Sequence, residues 1–127
     1  MLYIREAKGS VEEVTRKLEE ATKANKFGVI GIIYLKEKMK EKGVEFGPDC
    51  RIVEVCNPLQ AKKALEANLA VSTALPCRIS VYEEGDKVKV AMLKPTAMLA
   101  LFNDPALSPV ARSVEDTMTR IIDAACA

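Results

Sequence analysis

The sequence predicts a single α+β domain in which a mainly antiparallel sheet packs against helices. Residues 79–92 alternate in the pattern of a β-hairpin, and residues 11–21 and 110–125 repeat apolar side chains with helical spacing. The chain has 127 residues, of which 49% are hydrophobic, and this is enough for one core but not for two. We therefore expect residues 1–127 to form one domain with strands and helices around a common core.

The hairpin is the sharpest local prediction. A two-residue turn at Gly85-Asp86 places polar and charged residues on one face of the two strands and apolar residues on the other. A slip of one residue would mix the two faces, so the register is well specified. The polar face then pairs Glu84 with Lys87, Tyr82 with Lys89 and Ser80 with Ala91, and the apolar face pairs Val81 with Val90 and Ile79 with Met92.

A helix is predicted after a short first strand at Leu2–Ile4. Ser10 and Glu13 form a capping box, the arrangement in which an N-cap side chain and the third helical residue satisfy each other's backbone amides. An apolar stripe follows at Val11, Val14, Leu18 and Ala21. On the outer face, three Glu-to-Lys or Glu-to-Arg pairs at i,i+4 spacing predict surface ion pairs: Glu12/Arg16, Glu13/Lys17 and Glu19/Lys23.

The middle of the chain predicts two more strands. Residues 27–35 are apolar at consecutive positions, which is typical of a central strand, and a lysine-rich helix over 35–42 ends at Gly43. A loop over 44–49 leads into a strand over 51–56. The predicted order of elements is therefore βαβ(α)βαββα.

Two further helices begin at recognisable start signals. Asn57-Pro58 is an N-cap followed by proline at the first helical position, and it predicts a helix to about residue 68. Ser108-Pro109 predicts the last helix in the same way. The apolar residues expected to be buried are Leu59, Ala61, Ala64 and Leu65 in the first helix and Val110, Val114, Met118, Ile121 and Ala125 in the last. The apolar segment 97–102 either joins the core or covers a partner subunit.

Composition excludes several functional classes. Nineteen basic and eighteen acidic residues give a net charge of +1, and the lysines of 36–42 alternate with Glu37 and Glu41, which is typical of a solvated helix face and not of a nucleic-acid interface. The absence of histidine removes the usual triads, imidazole metal sites and the common general base. We therefore assign no catalytic residue, no metal site and no cofactor. No apolar run reaches the length of a membrane helix and no signal peptide is evident, so we expect a cytoplasmic protein without membrane or nucleic-acid partners.

The cysteines carry the most chemical interest. Cys56 precedes a helix N-terminus, where unpaired amides would favour a thiolate and lower the pKa; alternatively it is a small apolar side chain closing a strand. Cys50 would lie about 20 Å from Cys56 along one strand, too far for a shared bond. Cys77 is expected to face the core, and the connection over 69–76 is long enough to return it to Cys56 or to leave it at the far end. Cys126 is expected to be mobile and incidental. None of these cysteines has CxxC spacing.

Glu54 is the one carboxylate that we weigh as an acid or base. It shares a strand face with Cys50 and Cys56, and partial enclosure would raise its pKa. The alternative is an edge strand that leaves Glu54 in water.

The motifs Cys56-Asn57-Pro58 and Leu75-Pro76-Cys77-Arg78, followed by Val81-Tyr82-Glu83, resemble the family known as domain of unknown function 302. The resemblance covers most of the chain. It implies a fold similar to one half of the TATA-box-binding protein, a curved and mainly antiparallel sheet backed by helices, and it implies homodimers. It implies no activity, but it marks five residues as candidates for ligand binding: Cys56, Asn57, Pro58, Pro76 and Cys77.

Two hypotheses for the function follow. The first is a non-enzymatic binding or interaction module that acts as a homodimer, in which the sheet and the helix start at Asn57 form a shallow pocket for a small molecule or anion. The second is thiol chemistry, in which Cys56 and Cys77 serve as a redox pair, a sulfur carrier or soft-metal ligands. A structural role in a larger complex is a third possibility, and the sequence does not identify the ligand.

Overall fold

The computed structural model describes all 127 residues and confirms the predicted fold class: a five-stranded antiparallel sheet packs against helices. Its spatial strand order is β1-β5-β4-β3-β2, and every neighbouring pair is antiparallel. The strands are β1 (Leu2–Ala7), β2 (Gly28–Tyr34), β3 (Cys50–Cys56), β4 (Cys77–Glu84) and β5 (Lys87–Leu93). The finer likeness to half of a TATA-box-binding protein stays a prediction.

Five α-helices connect and cover the strands: four follow the predicted order, and the short helix over 95–99 was not predicted. They are α1 (Val11–Ala24), α2 (Leu35–Glu41), α3 (Pro58–Ala67), α4 (Pro95–Leu99) and α5 (Ser108–Cys126). Short 3-10 turns occupy Leu69–Ala74, Ala100–Phe102 and Pro105–Leu107. No helix is both long enough and apolar enough to cross a membrane.

The hairpin of β4 and β5 has the predicted register. Gly85 adopts a φ of +64°, the left-handed conformation that the first residue of such a turn needs and that glycine adopts without strain. Ile79 and Met92 are both buried, as expected for the apolar face. The confirmed partners are Glu84 with Lys87, Tyr82 with Lys89, Val81 with Val90 and Ser80 with Ala91.

The first and last helices supply most of the helical half of the core. The capping box between Ser10 and Glu13 is formed, and the predicted stripes of both helices are buried. The three ion pairs expected along α1 are absent, since none of those charged groups comes within 4.0 Å of its partner. Ser108 lies inside α5 instead of capping it, and Asp104 caps the preceding turn through a 3.0 Å bond from the amide of Ala106.

Two expectations about burial are wrong. The segment over 27–35 is an edge strand and not a central one, because β2 pairs only with β3 and its register is interrupted at Ile30, whose side chain is 61% exposed. Leu59 is 72% exposed, because α3 contacts the core through a narrow stripe in which only Ala64 is fully buried. Ala61 and Leu65 are half-buried.

The two faces of the sheet have different neighbours. The covered face packs against α1 and α5, and its central side chains Val53, Val55, Ile79, Val81 and Val90 are completely buried. The open face has no helix layer across it. One row of open-face residues crosses all five strands, and its members are Ile4, Ala91, Ser80, Ile52 and Ile33.

Candidate functional site

The structure brings Cys77 back beside Cys56. Strands β3 and β4 are antiparallel neighbours, and Cys77 lies directly opposite Val55, the residue before Cys56. Cys56, Asn57 and Cys77 all line one cavity of about 30 Å³ between the strand ends, α3, α4 and α5. Of the other two candidates, Pro58 lies outside this cavity on the exposed surface, and Pro76 lines a separate, larger groove.

Asn57 caps α3 and anchors its start. Its side-chain oxygen accepts from the amides of Leu59 (3.0 Å) and Gln60 (3.2 Å), and its amide nitrogen donates to the carbonyl of Lys26 (3.3 Å). The amide of Ala61 bonds to the Asn57 carbonyl at 2.9 Å, and proline at position 58 has no amide hydrogen. The first turn therefore has no free donor, and the expected anion site at this helix start lacks the groups that it requires.

Burial dominates the chemistry of both thiols. Removal from water raises the pKa of Cys56, and it raises the pKa of Cys77 to about 11, with a further upward contribution from Cys56. Burial thus favours the alternative in which Cys56 is a small apolar side chain that ends the strand. Both groups are protonated thiols near neutral pH, and all four cysteines are free.

The remaining cysteines do not join this pair. Cys50 lies at the opposite end of the unbroken strand β3, as predicted. Cys126 is 8% exposed within α5 and packs in the core, so the expectation of a mobile side chain is wrong. Its helix is anchored nearby, since Asp123 accepts a 2.7 Å bond from Arg5 of β1.

Glu54 sits on an inner strand, not on an edge. Its side chain is 20% exposed, and one carboxylate oxygen lies 3.7 Å from the guanidinium of Arg78. Gly31 faces it across the strand pair, where an added Cβ would come within 3.4 Å of the Glu54 carboxylate. The small glycine leaves room for this carboxylate, which is partly enclosed and pairs with Arg78.

A groove of about 700 Å³ lies on the open face. Apolar side chains from β1, β3 and β5 form its floor, and Pro95, Met98, Leu101 and Phe102 border one end. Several floor residues are unusually exposed for their type, including Leu2 (57%), Ile4 (46%) and Leu93 (50%). The sequence analysis expected a pocket between the sheet and the helix start at Asn57 and missed the position of this groove. The alternating apolar residues Leu2 and Ile4 of β1, and Ala91 and Leu93 of β5, were a signal for it.

Few polar groups line the groove. Arg78 is its one charged lining residue, and Ser80 and Tyr82 add hydroxyl groups on the same strand. The Arg78 side chain is 54% exposed, and its contact with Glu54 is a single long ion pair, so most of its donors are unused. The groove thus combines an apolar floor with one exposed cation. No group of three or more cysteine, aspartate or glutamate side chains lies close enough to hold a metal ion.

Comparison with known proteins agrees with the motifs. The profile described as domain of unknown function DUF302 matches residues 3–125. The crystal structure of an uncharacterized conserved DUF302 protein from Bacillus stearothermophilus is 36% identical, covers 99% of this chain and 98% of its own, and superposes with a TM-score of 0.93. A search of curated proteins gives no match.

Proposed function

Because the chain belongs to the DUF302 family, whose function is unknown, we propose a function from the geometry of the open face. The protein is a non-enzymatic binding module that holds a small, largely apolar molecule with one negatively charged group. A homodimer closes the site. The observation that carries this proposal is the groove of about 700 Å³ with an apolar floor and Arg78 at its margin.

The groove has the size and composition of a small-molecule site. Binding sites for such ligands enclose about 300–1,000 Å³ and combine apolar walls with a few polar groups that fix orientation. The apolar body of the ligand lies on Ile4, Ile52 and Leu93, and burying these side chains supplies the free energy of binding. Arg78 pairs with the negative group of the ligand in place of its long contact with Glu54. The sequence predicted that the negative group of the ligand would lie near Asn57. We now propose that it pairs with Arg78.

A second copy of the chain is proposed to cover the open groove. Five strands at about 4.8 Å spacing, each about seven residues long, present roughly 550 Å² per copy, so a face-to-face pair buries about 1,100 Å² in total. This exceeds the roughly 1,000 Å² that a stable interface needs. A second copy on the open face would also bury Leu2, Ile4 and Leu93, which are exposed to water in the single chain.

A binding role is favoured over a catalytic one by the thiols and the groove walls. Burial raises the pKa of Cys56 and of Cys77, which disfavours the thiolate that a nucleophile, sulfur carrier or redox centre needs. The polar groups of the groove can orient a ligand.

The first experiment measures binding of anilinonaphthalene sulfonate, an apolar dye with one negative charge, by fluorescence titration. Replacing Arg78→Met should weaken binding about 10-fold or more through loss of the charged contact. Binding of an uncharged naphthalene dye should change little in the same variant. Equal loss for both dyes, or no loss for either, would contradict the assignment of Arg78.

The second experiment measures the oligomeric state by sedimentation equilibrium at micromolar concentration. The wild type should be a dimer. Leu93→Glu should be a monomer, because dimerisation would bury its carboxylate between the two open faces. Leu59→Glu is the matched control, since Leu59 is more exposed but lies on α3, away from the open face. A monomeric wild type, or a dimer broken only by Leu59→Glu, would refute the proposed interface.

A further inference from the structure

We infer that the open-face groove binds a single-chain aliphatic carboxylate whose tail ends in a buried recess beneath α4. The recess is the part of the groove lined by Met92, Met98 and Met118. This inference rests on the proposed function, because it uses the same groove and the same charged contact with Arg78. What it adds is the class of the ligand and the position of the ligand's apolar end.

The groove extends from the open face toward the helical half of the core. Met118 belongs to α5, on the covered side of the sheet, and is 1% exposed, yet it lines the same groove as Ile4 of the open face. Met92 lines the groove too, although side chains alternate along β5 and that of Met92 is buried on the covered side. The groove therefore continues past the end of β5 and does not stop at the surface of the sheet.

Helix α4 forms the roof of the recess and is tied to its back wall. Pro95 and Met98 are three residues apart on α4, so they share one side of it, and both line the groove. The amide and the hydroxyl of Thr96 donate to Glu115 of α5 at 3.0 and 2.7 Å. Met118 follows Glu115 by three residues and lies on the same side of α5, next to this anchor. The roof and the back wall are therefore held together before any ligand binds.

The side chains of the recess suit a flexible aliphatic tail. The whole chain has five methionines, and three of them line this groove. A methionine side chain is unbranched, has three rotatable bonds and adapts to irregular apolar partners. A rigid ring system can lie on the open floor of the groove, whereas a flexible chain can also follow the groove past the end of β5. The methionine walls therefore favour an unbranched hydrocarbon tail.

The charge of the groove fixes one acidic head group. Arg78 is the one charged lining residue, and its 3.7 Å contact with Glu54 leaves guanidinium donors free for a carboxylate. Cys77, the residue before Arg78, also lines the groove, so the head-group contact and the recess share one end of β4. One cation beside one apolar recess matches a ligand with one acidic head and one tail.

The test is displacement of anilinonaphthalene sulfonate by hexanoate, octanoate, decanoate and dodecanoate, each below its micelle-forming concentration. We expect the affinity to rise about 2–4-fold for every added methylene group, because each one passes from water to an apolar wall. Met98→Trp fills the recess and should reduce the gain in affinity from hexanoate to dodecanoate by about 10-fold or more. Met39→Trp on α2, outside the groove, is the matched control and should leave the series unchanged.

Methyl NMR of protein labelled at its methionine methyl groups locates the tail. Dodecanoate should shift the signals of Met92, Met98 and Met118 and leave that of Met39 in place. Hexanoate and the rigid dye should leave Met118 unshifted, because neither reaches the buried end of the recess.

The outcomes separate this inference from the proposed function. If the dye binds through Arg78 but the carboxylates show no dependence on chain length, the inference is overturned and the proposed function stands. An unshifted Met118 with dodecanoate, or a chain-length gain that persists in Met98→Trp, overturns it as well. If Arg78→Met leaves dye binding unchanged, the proposed function itself fails. Variants are compared after circular dichroism confirms their fold, and Met98→Phe replaces Met98→Trp if the latter unfolds.

Discussion

The two faces of the sheet carry similar apolar residues but differ in how deeply these residues are buried. The covered face presents valine and isoleucine side chains that are completely buried under α1 and α5. The open face also carries isoleucine, leucine and alanine, yet Ile4 and Leu93 keep about half of their surface in water. Apolar character therefore does not by itself mark the core of this protein. The covered face determines the stability of the single chain, and we propose that the open face is the binding surface.

The difference between the two faces is tested most directly by replacing one isoleucine on each face with alanine and comparing the free energies of unfolding. Ile79→Ala should lower the free energy of unfolding by about 3–4 kcal/mol, because it leaves a cavity among fully buried neighbours. Ile4→Ala, the matched open-face change, should cost roughly 1 kcal/mol or less in the monomer. Denaturant unfolding at low protein concentration measures both. Equal losses would show that the open face is part of the core.

A second prediction uses the thiol at the end of the covered face. The raised pKa of Cys77, about 11 against 9.0 for a free thiol, means that the unfolded chain loses this proton at lower pH than the folded chain. The stability contributed by the buried neutral thiol is present below pH 9 and is lost as the pH rises to about 11, by about 3 kcal/mol at 1.36 kcal/mol per unit.

The check is the pH dependence of unfolding for the wild type and Cys77→Ala. The difference between their free energies of unfolding should decrease over this interval, because only the wild type titrates Cys77. Lysine and tyrosine titrate in both proteins and cancel in the difference. If the difference in free energy of unfolding stayed constant from pH 8 to 11, the Cys77 thiol would be exposed to water and not buried.

A third prediction concerns the boundary at which the sheet passes into α3. Asn57→Ala removes the acceptor of two helix amides and should cost about 1 kcal/mol of stability. Asn57→Asp keeps that acceptor and loses only the donation to Lys26, so it should retain most of the stability. Thermal unfolding of the two variants decides this. If Asp is as damaging as Ala, the tie to Lys26 and not the cap is what matters.

The smallest effect is expected for a charge on the open face. Leu93→Glu should change the stability of the monomer by about 0.5 kcal/mol or less, since the side chain is half exposed. The same substitution at Val81 on the covered face should prevent folding, because the carboxylate would be buried without a partner. Soluble expression and circular dichroism distinguish the two. An unfolded Leu93→Glu would contradict a free open face.

Local patterns predicted the elements, and long-range contacts limited what else could be predicted. The capping box at Ser10, the turn at Gly85 and the cap at Asn57 depend on neighbours within a few residues, and all three were found. The edge position of β2 depends on which strands pair across the sheet, and periodicity does not encode that choice. Leu59 was wrongly predicted to be buried, because helical spacing gives the direction of a side chain but not whether another element packs against it.

The sequence predicted which residues belong to the candidate site but not how they are arranged in space. The motifs identified Cys56 and Cys77, while their adjacency depended on the pairing of β3 with β4. Arg78 belonged to the Leu75-Pro76-Cys77-Arg78 motif and Met98 to the apolar segment 97–102. Their place beside the groove depends on tertiary contacts between elements far apart in sequence, which no local pattern encodes. The sequence left two alternatives for Cys56 open, and the choice between them depends on burial by residues distant in sequence, which raises the pKa of the thiol.

The central claim is that the open face is a binding surface, and methyl-group NMR tests it most directly. Anilinonaphthalene sulfonate is titrated into protein with labelled isoleucine, leucine and valine methyl groups. The account predicts that Ile4, Ile52 and Leu93 shift in proportion to bound dye, whereas the buried Ile79 and Val81 do not. Shifts confined to the exposed leucines of α3, or spread through the core with loss of signal, would contradict it.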